Sequence, residues 1–238
     1  MALIGFDDGS YIELISSLQP GRRDTVFWGN FIVGDGGPCA WAVVVDNVAE
    51  EAERIKALGV RVDGPHTYHR RRPDGQLVEW DLAFLGAQSA GATLPFIIKD
   101  ITPRDLRVRP STGVAGGPLS GVAKVVLGVK DLAAVSAQFQ RLYHWPAPQT
   151  ATAPDFGAAL ANFAGSPVIL ATPLSDGDML SARLGRFDEA PCAYLLGVTD
   201  FETARRQFNL TAATAWFGHR LAWFDQNRLN GLRLGVIG

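Results

Sequence analysis

Pro38-Cys39-Ala40-Trp41-Ala42-Val43-Val44-Val45-Asp46-Asn47 returns as Pro191-Cys192-Ala193-Tyr194-Leu195-Leu196-Gly197-Val198-Thr199-Asp200. A looser copy is Gly121-Val122-Ala123-Lys124-Val125-Val126-Leu127-Gly128-Val129-Lys130-Asp131. Each run is rich in strand-forming residues and ends on an Asx side chain, a good helix N-cap. An amphipathic helix of about three turns is predicted after each. Past Asn47, with Glu50 completing a capping box, Val48, Ala52, Ile55 and Leu58 form one stripe, and Gly59 stops the helix. Past Asp131 the stripe is Leu132, Val135, Phe139 and Leu142; past Asp200 it is Phe201, Ala204 and Phe208.

Further strands follow each helix, so the repeating unit reads βαβββ. In the first complete unit they run from Val60 towards Arg72, from Leu77 to Leu85 and from Leu94 to Lys99, with Pro73-Asp74-Gly75 turning between the first two. The next unit closes with Ala159 to Phe163 and Val168 to Ala171, and the last with Arg220 to Phe224 and Leu232 to Ile237. The N-terminus aligns to the back of this unit. Phe6 falls on Phe163, Asp7 to Ser10 on Ala164 to Pro167, and Tyr11-Ile12-Glu13 on Val168-Ile169-Leu170. Residues 1–18 therefore read as the closing half of a unit whose front strand and helix are missing, with Tyr11, Glu13 and Ile15 on one strand face.

The composition at 109–118, Arg-Pro-Ser-Thr-Gly-Val-Ala-Gly-Gly-Pro, suggests a flexible linker. The expected organisation is an N-terminal pair of units at 1–108, a linker at 109–120 and a C-terminal pair at 121–238. Residues 19–38 and 174–191 would connect units within each half. Phe27, Trp28 and Phe31 in the first connection read as aromatics packed on their own domain, or as a lid over a cleft.

Bulk properties exclude several classes. With 238 residues, 47% hydrophobic, 19% charged and a net charge of -2, the chain has no basic excess for nucleic acid. No apolar run reaches the roughly eighteen residues of a membrane span, and no secretory signal opens the chain. A cytoplasmic protein is expected. Cys39 and Cys192 read as buried free thiols.

The repeats, together with Gly9-Ser10-Tyr11-Ile12-Glu13-Leu14, Trp41-Ala42-Val43, Arg71-Arg72-Pro73-Asp74-Gly75, Trp80, Leu94-Pro95-Phe96-Ile97 and Thr102-Pro103-Arg104, resemble the glyoxalase-like domain branch of the vicinal oxygen chelate superfamily. The resemblance implies an α+β fold in which paired βαβββ units form curled mixed sheets, or cups, with helices on the outer face. It also implies a small-molecule ligand and, in many members, a divalent metal ion held by a His early on a unit's first strand and a Glu on its last. Such an ion leaves open positions for two substrate oxygens. Here the His positions fall on Ala40, Lys124 and Ala193, and the Glu positions on Glu13, Ile98, Leu170 and Leu234. Only Glu13 is a ligand-type side chain. The strand edge left by the incomplete unit is expected to be covered by another chain, such as a second copy in a homodimer, or by residues upstream of Met1.

Alternation divides Leu77 to Phe84 into Val78, Trp80, Leu82 and Phe84 on one face and Leu77, Glu79, Asp81 and Ala83 on the other. Trp80, like Trp41, is assigned to the helix-covered core. Glu79 and Asp81 are then expected to join Tyr11 and Glu13 in the cup, where neighbouring carboxylates raise one another's pKa. On that reading Glu13, Glu79 and Asp81 are the acid–base candidates and Glu13 the metal ligand. Tyr11, His69 and Arg71 are the substrate-binding candidates. The competing assignment pairs Glu79 and Asp81 with Arg70 to Arg72 on an exposed face. Lys124, alone in an otherwise apolar C-terminal cup, marks that half as structural. The activities implied are a metal-dependent lyase, isomerase or dioxygenase; the alternatives are a metal-free binding protein and a non-catalytic scaffold.

Overall fold

A computed structural model describes residues 2–17 and 27–238. A hairpin of β1 (Ala2–Gly5) and β2 (Tyr11–Leu14) opens the chain, with Gly9 at φ +83° in its turn. A short helix α1 (Gly29–Val33) follows, and then the first full unit: β3 (Ala42–Val44), α2 (Val48–Ala57), β4 (Val62–Arg71), β5 (Leu77–Leu85) and β6 (Phe96–Asp100). After α3 (Arg104–Arg107) come β7 (Leu119–Gly128), α4 (Leu132–Tyr143), β8 (Gln149–Ala153), β9 (Ala158–Asn162) and β10 (Val168–Pro173). The connecting helix α5 (Met179–Phe187) leads into β11 (Ala190–Val198), α6 (Phe201–Gln207), β12 (Thr214–Trp216), β13 (His219–Trp223) and β14 (Leu234–Ile237). No helix among the described residues is long and apolar enough to cross a membrane.

The Asx caps form as the sequence predicts. Asn47 Oδ1 accepts from the amides of Ala49 and Glu50, and its Nδ2 donates to Glu50 Oε1 at 2.8 Å. Asp131 caps α4 through the Ala134 amide and Asp200 caps α6 through the Thr203 amide. Helix α6 has 7 residues, shorter than its predicted three turns.

In the C-terminal half the strand order is β12-β13-β14-β11-β7-β10-β9-β8, so two units join antiparallel through their first strands. The cup of this curled sheet is filled. Val126, Ile169, Leu195, Phe156 and Trp216 meet inside it, and Leu180 and Leu184 of α5 complete the packing. Ile169, not Leu170, points inward, since Leu170 lies in the helix-covered core. The residue-by-residue overlay with the N-terminus is thus one position out, although Phe6 and Phe163 both take helix-side positions.

The N-terminal half holds one four-stranded sheet, β3-β6-β5-β4, and the separate β1-β2 hairpin. The halves are not independent. Helices α2 and α4 share one core in which Ile55, Phe139, Leu142 and Leu127 are wholly buried. The hairpin sets Ile4, Phe6 and Ile12 against Leu196, Phe201 and Val236 of the last unit. Nor is the 109–118 stretch loose: the Ser111 amide donates to Gly5 O at 2.9 Å, the Gly5 amide to Ser111 Oγ at 3.1 Å, and the Gly116 amide to Asp7 Oδ2 at 2.8 Å. Glycine and serine supply these amides and hydroxyls, and composition alone does not separate an anchored turn from a linker.

Candidate functional site

The inner face of the N-terminal sheet is set by β5. Leu82 and Phe84 cluster with Ile98, Tyr68, Trp80 and Phe96, whereas Ala83, Leu85 and Ile97 pack on the opposite side beneath α2. Strand alternation therefore places Trp80 inside the cup and Glu79 and Asp81 outside it. This reverses the assignment made from sequence, while Trp41 does lie in the helix-covered core. Asp81 accepts a 2.6 Å hydrogen bond from Thr67 Oγ1 and borders a groove of about 320 Å³ at the start of α2. His69 and Arg71 share the outer side, facing Glu79 and Leu77 across the β4–β5 ladder, and Arg71 bonds locally to Gly75 O at 2.8 Å.

Tyr11 and Glu13 are brought to the inner side, because Ile12 between them is committed to the opposite core. The group that meets them is Arg107, which is only 7% exposed. Its Nη1 donates to Tyr11 Oη at 2.7 Å, and its Nε and Nη2 grip both oxygens of Asp100, the latter at 3.1 Å. The same guanidinium lies 5.1 Å from the Tyr11 ring centre and 6.0 Å from that of Trp80. Arg104 adds a 3.0 Å bond to Asp100 Oδ2 and ties the Gly9 carbonyl. Arg70 donates through Nη2 to Arg107 O at 2.8 Å, and its Nε is buried without an acceptor among the described residues.

Charge follows from this packing. Burial works to raise the Asp100 carboxyl, but its bonds to Arg107 and Arg104 outweigh it and hold the group below its ordinary value. Burial works against the Arg107 cation, yet Asp100 and Tyr11 leave its pKa raised. Glu13 reaches solvent but is crowded enough that desolvation raises its carboxyl despite the pull of Arg107 and Arg70. A carboxylate moved that way takes up a proton more readily than an ordinary one.

Sequence reading missed Arg107, Asp100 and Arg70. A signal was present: Asp100, Arg104 and Arg107 are spaced four and three apart across a strand end and a Pro103-started helical turn, which stacks both guanidiniums over one carboxylate. Of the aromatics ahead of β3, Phe27 and Trp28 lie on their own sheet, whereas Phe31 stacks at 4.9 Å on Phe187 of α5. Trp28 Nε1 donates to Ala90 O at 2.8 Å, and the Phe27 ring sits 4.8 Å from Phe84. Residues 18–26 of that connection lie outside the described residues. Cys39 and Cys192 are free thiols, both pushed by burial to about 11, as inert structural thiols are.

The divalent ion implied by the resemblance does not fit this donor set. No three His, Cys, Asp or Glu side chains come together among the described residues. The two charged groups that act on Glu13 from the sheet side are guanidiniums, which repel a cation, and the matching last-strand position on β6 is the buried Ile98.

A family model described as a glyoxalase-like domain matches residues 1–143. No curated protein matches the chain. Solved structures that resemble it include methylmalonyl-CoA epimerase from Mycobacterium tuberculosis, 16% identical, covering 52% of this chain and 91% of its own, with a TM-score of 0.44. A Streptomyces coelicolor methylmalonyl-CoA epimerase in complex with 2-nitronate-propionyl-CoA is 12% identical over 50% of this chain and 96% of its own, with a TM-score of 0.43. A hypothetical protein from Bacillus halodurans C-125 is 13% identical over 49% of this chain and 91% of its own, with a TM-score of 0.42.

Proposed function

The chain belongs to the glyoxalase-like domain family, and on that footing we propose that it binds a small molecule on the inner face of its N-terminal sheet without a bound metal ion. The observation that carries this reading is the make-up of that face. Tyr68 and Trp80 stack at 6.4 Å with their planes 15° apart, Leu82 and Ile98 lie beside them, and among the described residues Arg70 and Arg107 bring cations close by. Such a surface suits a flat, largely apolar molecule with one anionic group: the rings supply stacking area and the Arg70 guanidinium, whose buried Nε has no acceptor among the described residues, supplies positive charge. Tyr11, held by Arg107, and Glu13 line the same side.

Naphthoate, a flat aromatic carboxylate, is a suitable probe for isothermal titration against protein purified in chelator. Binding is expected to survive chelation and to weaken about tenfold, or ~1.4 kcal/mol, in both Trp80→Ala and Arg70→Ala. Binding that appears only when a divalent metal is restored would sink the reading. A second reading is favoured by the raised Glu13 carboxyl: Glu13 takes a proton from a carbon acid and returns it to another carbon of the resulting delocalised anion, serving as base and then as acid in an isomerisation. Solvent deuterium exchange into bound ligand, abolished in Glu13→Gln while naphthoate affinity is kept, distinguishes catalysis from binding alone.

A further inference from the structure

Arg107 decides which way the Tyr11 hydroxyl works. A guanidinium carries only donors, so in the 2.7 Å bond from Arg107 Nη1 the phenol oxygen accepts. The hydroxyl hydrogen is left for a third partner, and that partner has to be an acceptor. The phenol is held on a fixed axis. Asp100 takes the Nε and Nη2 donors of the same guanidinium, while Arg104 holds both Asp100 and the Gly9 carbonyl in the turn of the hairpin that carries Tyr11. The hydroxyl also belongs to the cup: the guanidinium it meets lies 6.0 Å from the Trp80 ring centre, and Ile12 takes the opposite face of β2. Glu13 follows two residues along the same face. Arg70 stands beside them, bonded at 2.8 Å to the Arg107 carbonyl. One strand thus sets a donor backed by a cation next to a carboxylate that desolvation makes readier to take a proton.

Such a pair matches the two ends of an enolisation. We infer that Tyr11 donates its hydroxyl hydrogen bond to a carbonyl oxygen of the ligand, and that the ligand class is a flat unsaturated keto acid with its ketone on Tyr11 and its carboxylate on Arg70. Glu13 takes the proton from the carbon between the ketone and the double bond. The electron pair of that C–H bond enters a new C=C, and the C=O pair moves onto the oxygen. Tyr11 meets this developing charge with its hydrogen bond and keeps its own proton, with the Arg107 cation behind it. Return of the proton from Glu13 to the far carbon of the dienolate restores the C=O and leaves the double bond conjugated with the ketone. No oxidant, reductant or water is consumed. This assignment rests on the ligand reading above and on Glu13 as the base.

Naphthol is the probe, because its ring is flat and its ionised oxygen, conjugated with that ring, imitates the dienolate. Absorption titration is expected to show it bound as naphtholate at neutral pH, where the free compound is un-ionised. Tyr11→Phe keeps the ring and loses the hydroxyl. Naphthol affinity is then expected to fall about tenfold or more, further than that of naphthoate, with the naphtholate band lost. Un-ionised naphthol in the parent complex would overturn the assignment, whether or not the variant folds. So would a naphthol affinity that Tyr11→Phe leaves intact, or a failure of naphthol to bind where naphthoate does. If naphthoate fails to bind while naphthol binds as naphtholate through Tyr11, the carboxylate site on Arg70 falls and the Tyr11 donor stands.

Discussion

Arg107 sits between an acid and a phenol, and the balance of its contacts sets what a substitution there costs. Its guanidinium satisfies both oxygens of Asp100 and the Tyr11 hydroxyl at once. Arg107→Ala leaves Asp100 with Arg104 alone and unfastens the hairpin strand that carries Glu13, a loss expected at about 3–5 kcal/mol by urea unfolding. Arg107→Lys keeps the charge but not the fork and should recover only part of that. The pH dependence has a definite sign. Asp100 is held below its ordinary 3.8 in the fold, so its contribution is fully present above that value and is lost as pH falls below it towards the folded value. Asp100→Asn should flatten that acid limb. Glu13 has the opposite sign: its folded pKa is raised, so its ionisation opposes folding once pH exceeds that folded value and does not below the ordinary 4.5. Glu13→Gln is therefore expected to raise Tm slightly at neutral pH and to leave it unchanged at about pH 4; a lower Tm at neutral pH would contradict the raised carboxyl. That Tyr11 and Glu13 share a face was legible from alternation. That Arg107 meets them was not, because the contact joins residues 96 apart in sequence.

At the scale of elements, local chemistry decided most of what could be read. Asn47 caps α2 by accepting from the Ala49 and Glu50 amides, with Glu50 bonded to its side-chain Nδ2, and Asn47→Ala should cost about 1 kcal/mol, measurable as a parallel shift of the unfolding curve. β5 shows where such reading stops. Alternation separates Trp80, Leu82 and Phe84 from Glu79, Asp81 and Ala83, but it does not say which set a helix covers. The richer apolar set lies in the cup, and α2 covers Ala83 and Leu85 while its N-terminus lies beside Asp81. An acid there is compatible with the positive end of the helix, which explains how a carboxylate comes to sit on the helix side. Helix α5 escaped notice because its buried face rests on Leu180 and Leu184 alone, a spacing too short to stand out within a connection.

For the molecule as a whole, the repeats made the βαβββ units and the joining of the C-terminal two legible, but not how the halves meet, since no local pattern records which helices share a core. Phe139 is the clearest test of that arrangement. It is fully buried, and its ring stacks at 6.4 Å with Trp41 of the N-terminal half and at 5.5 Å with Trp145 of its own. Phe139→Ala removes contacts on both sides of the 109–120 boundary, with an expected cost of about 3–5 kcal/mol. Because the core is common, the loss should be shared: amide exchange in β5 and in β10 should quicken together, and unfolding should remain a single transition. Leu184→Ala supplies the contrast. It opens a cavity inside the filled C-terminal cup at about 2–5 kcal/mol. Two separate transitions in Phe139→Ala, with β5 untouched while β10 loosens, would show that the halves fold as independent domains and that the shared core does not couple them.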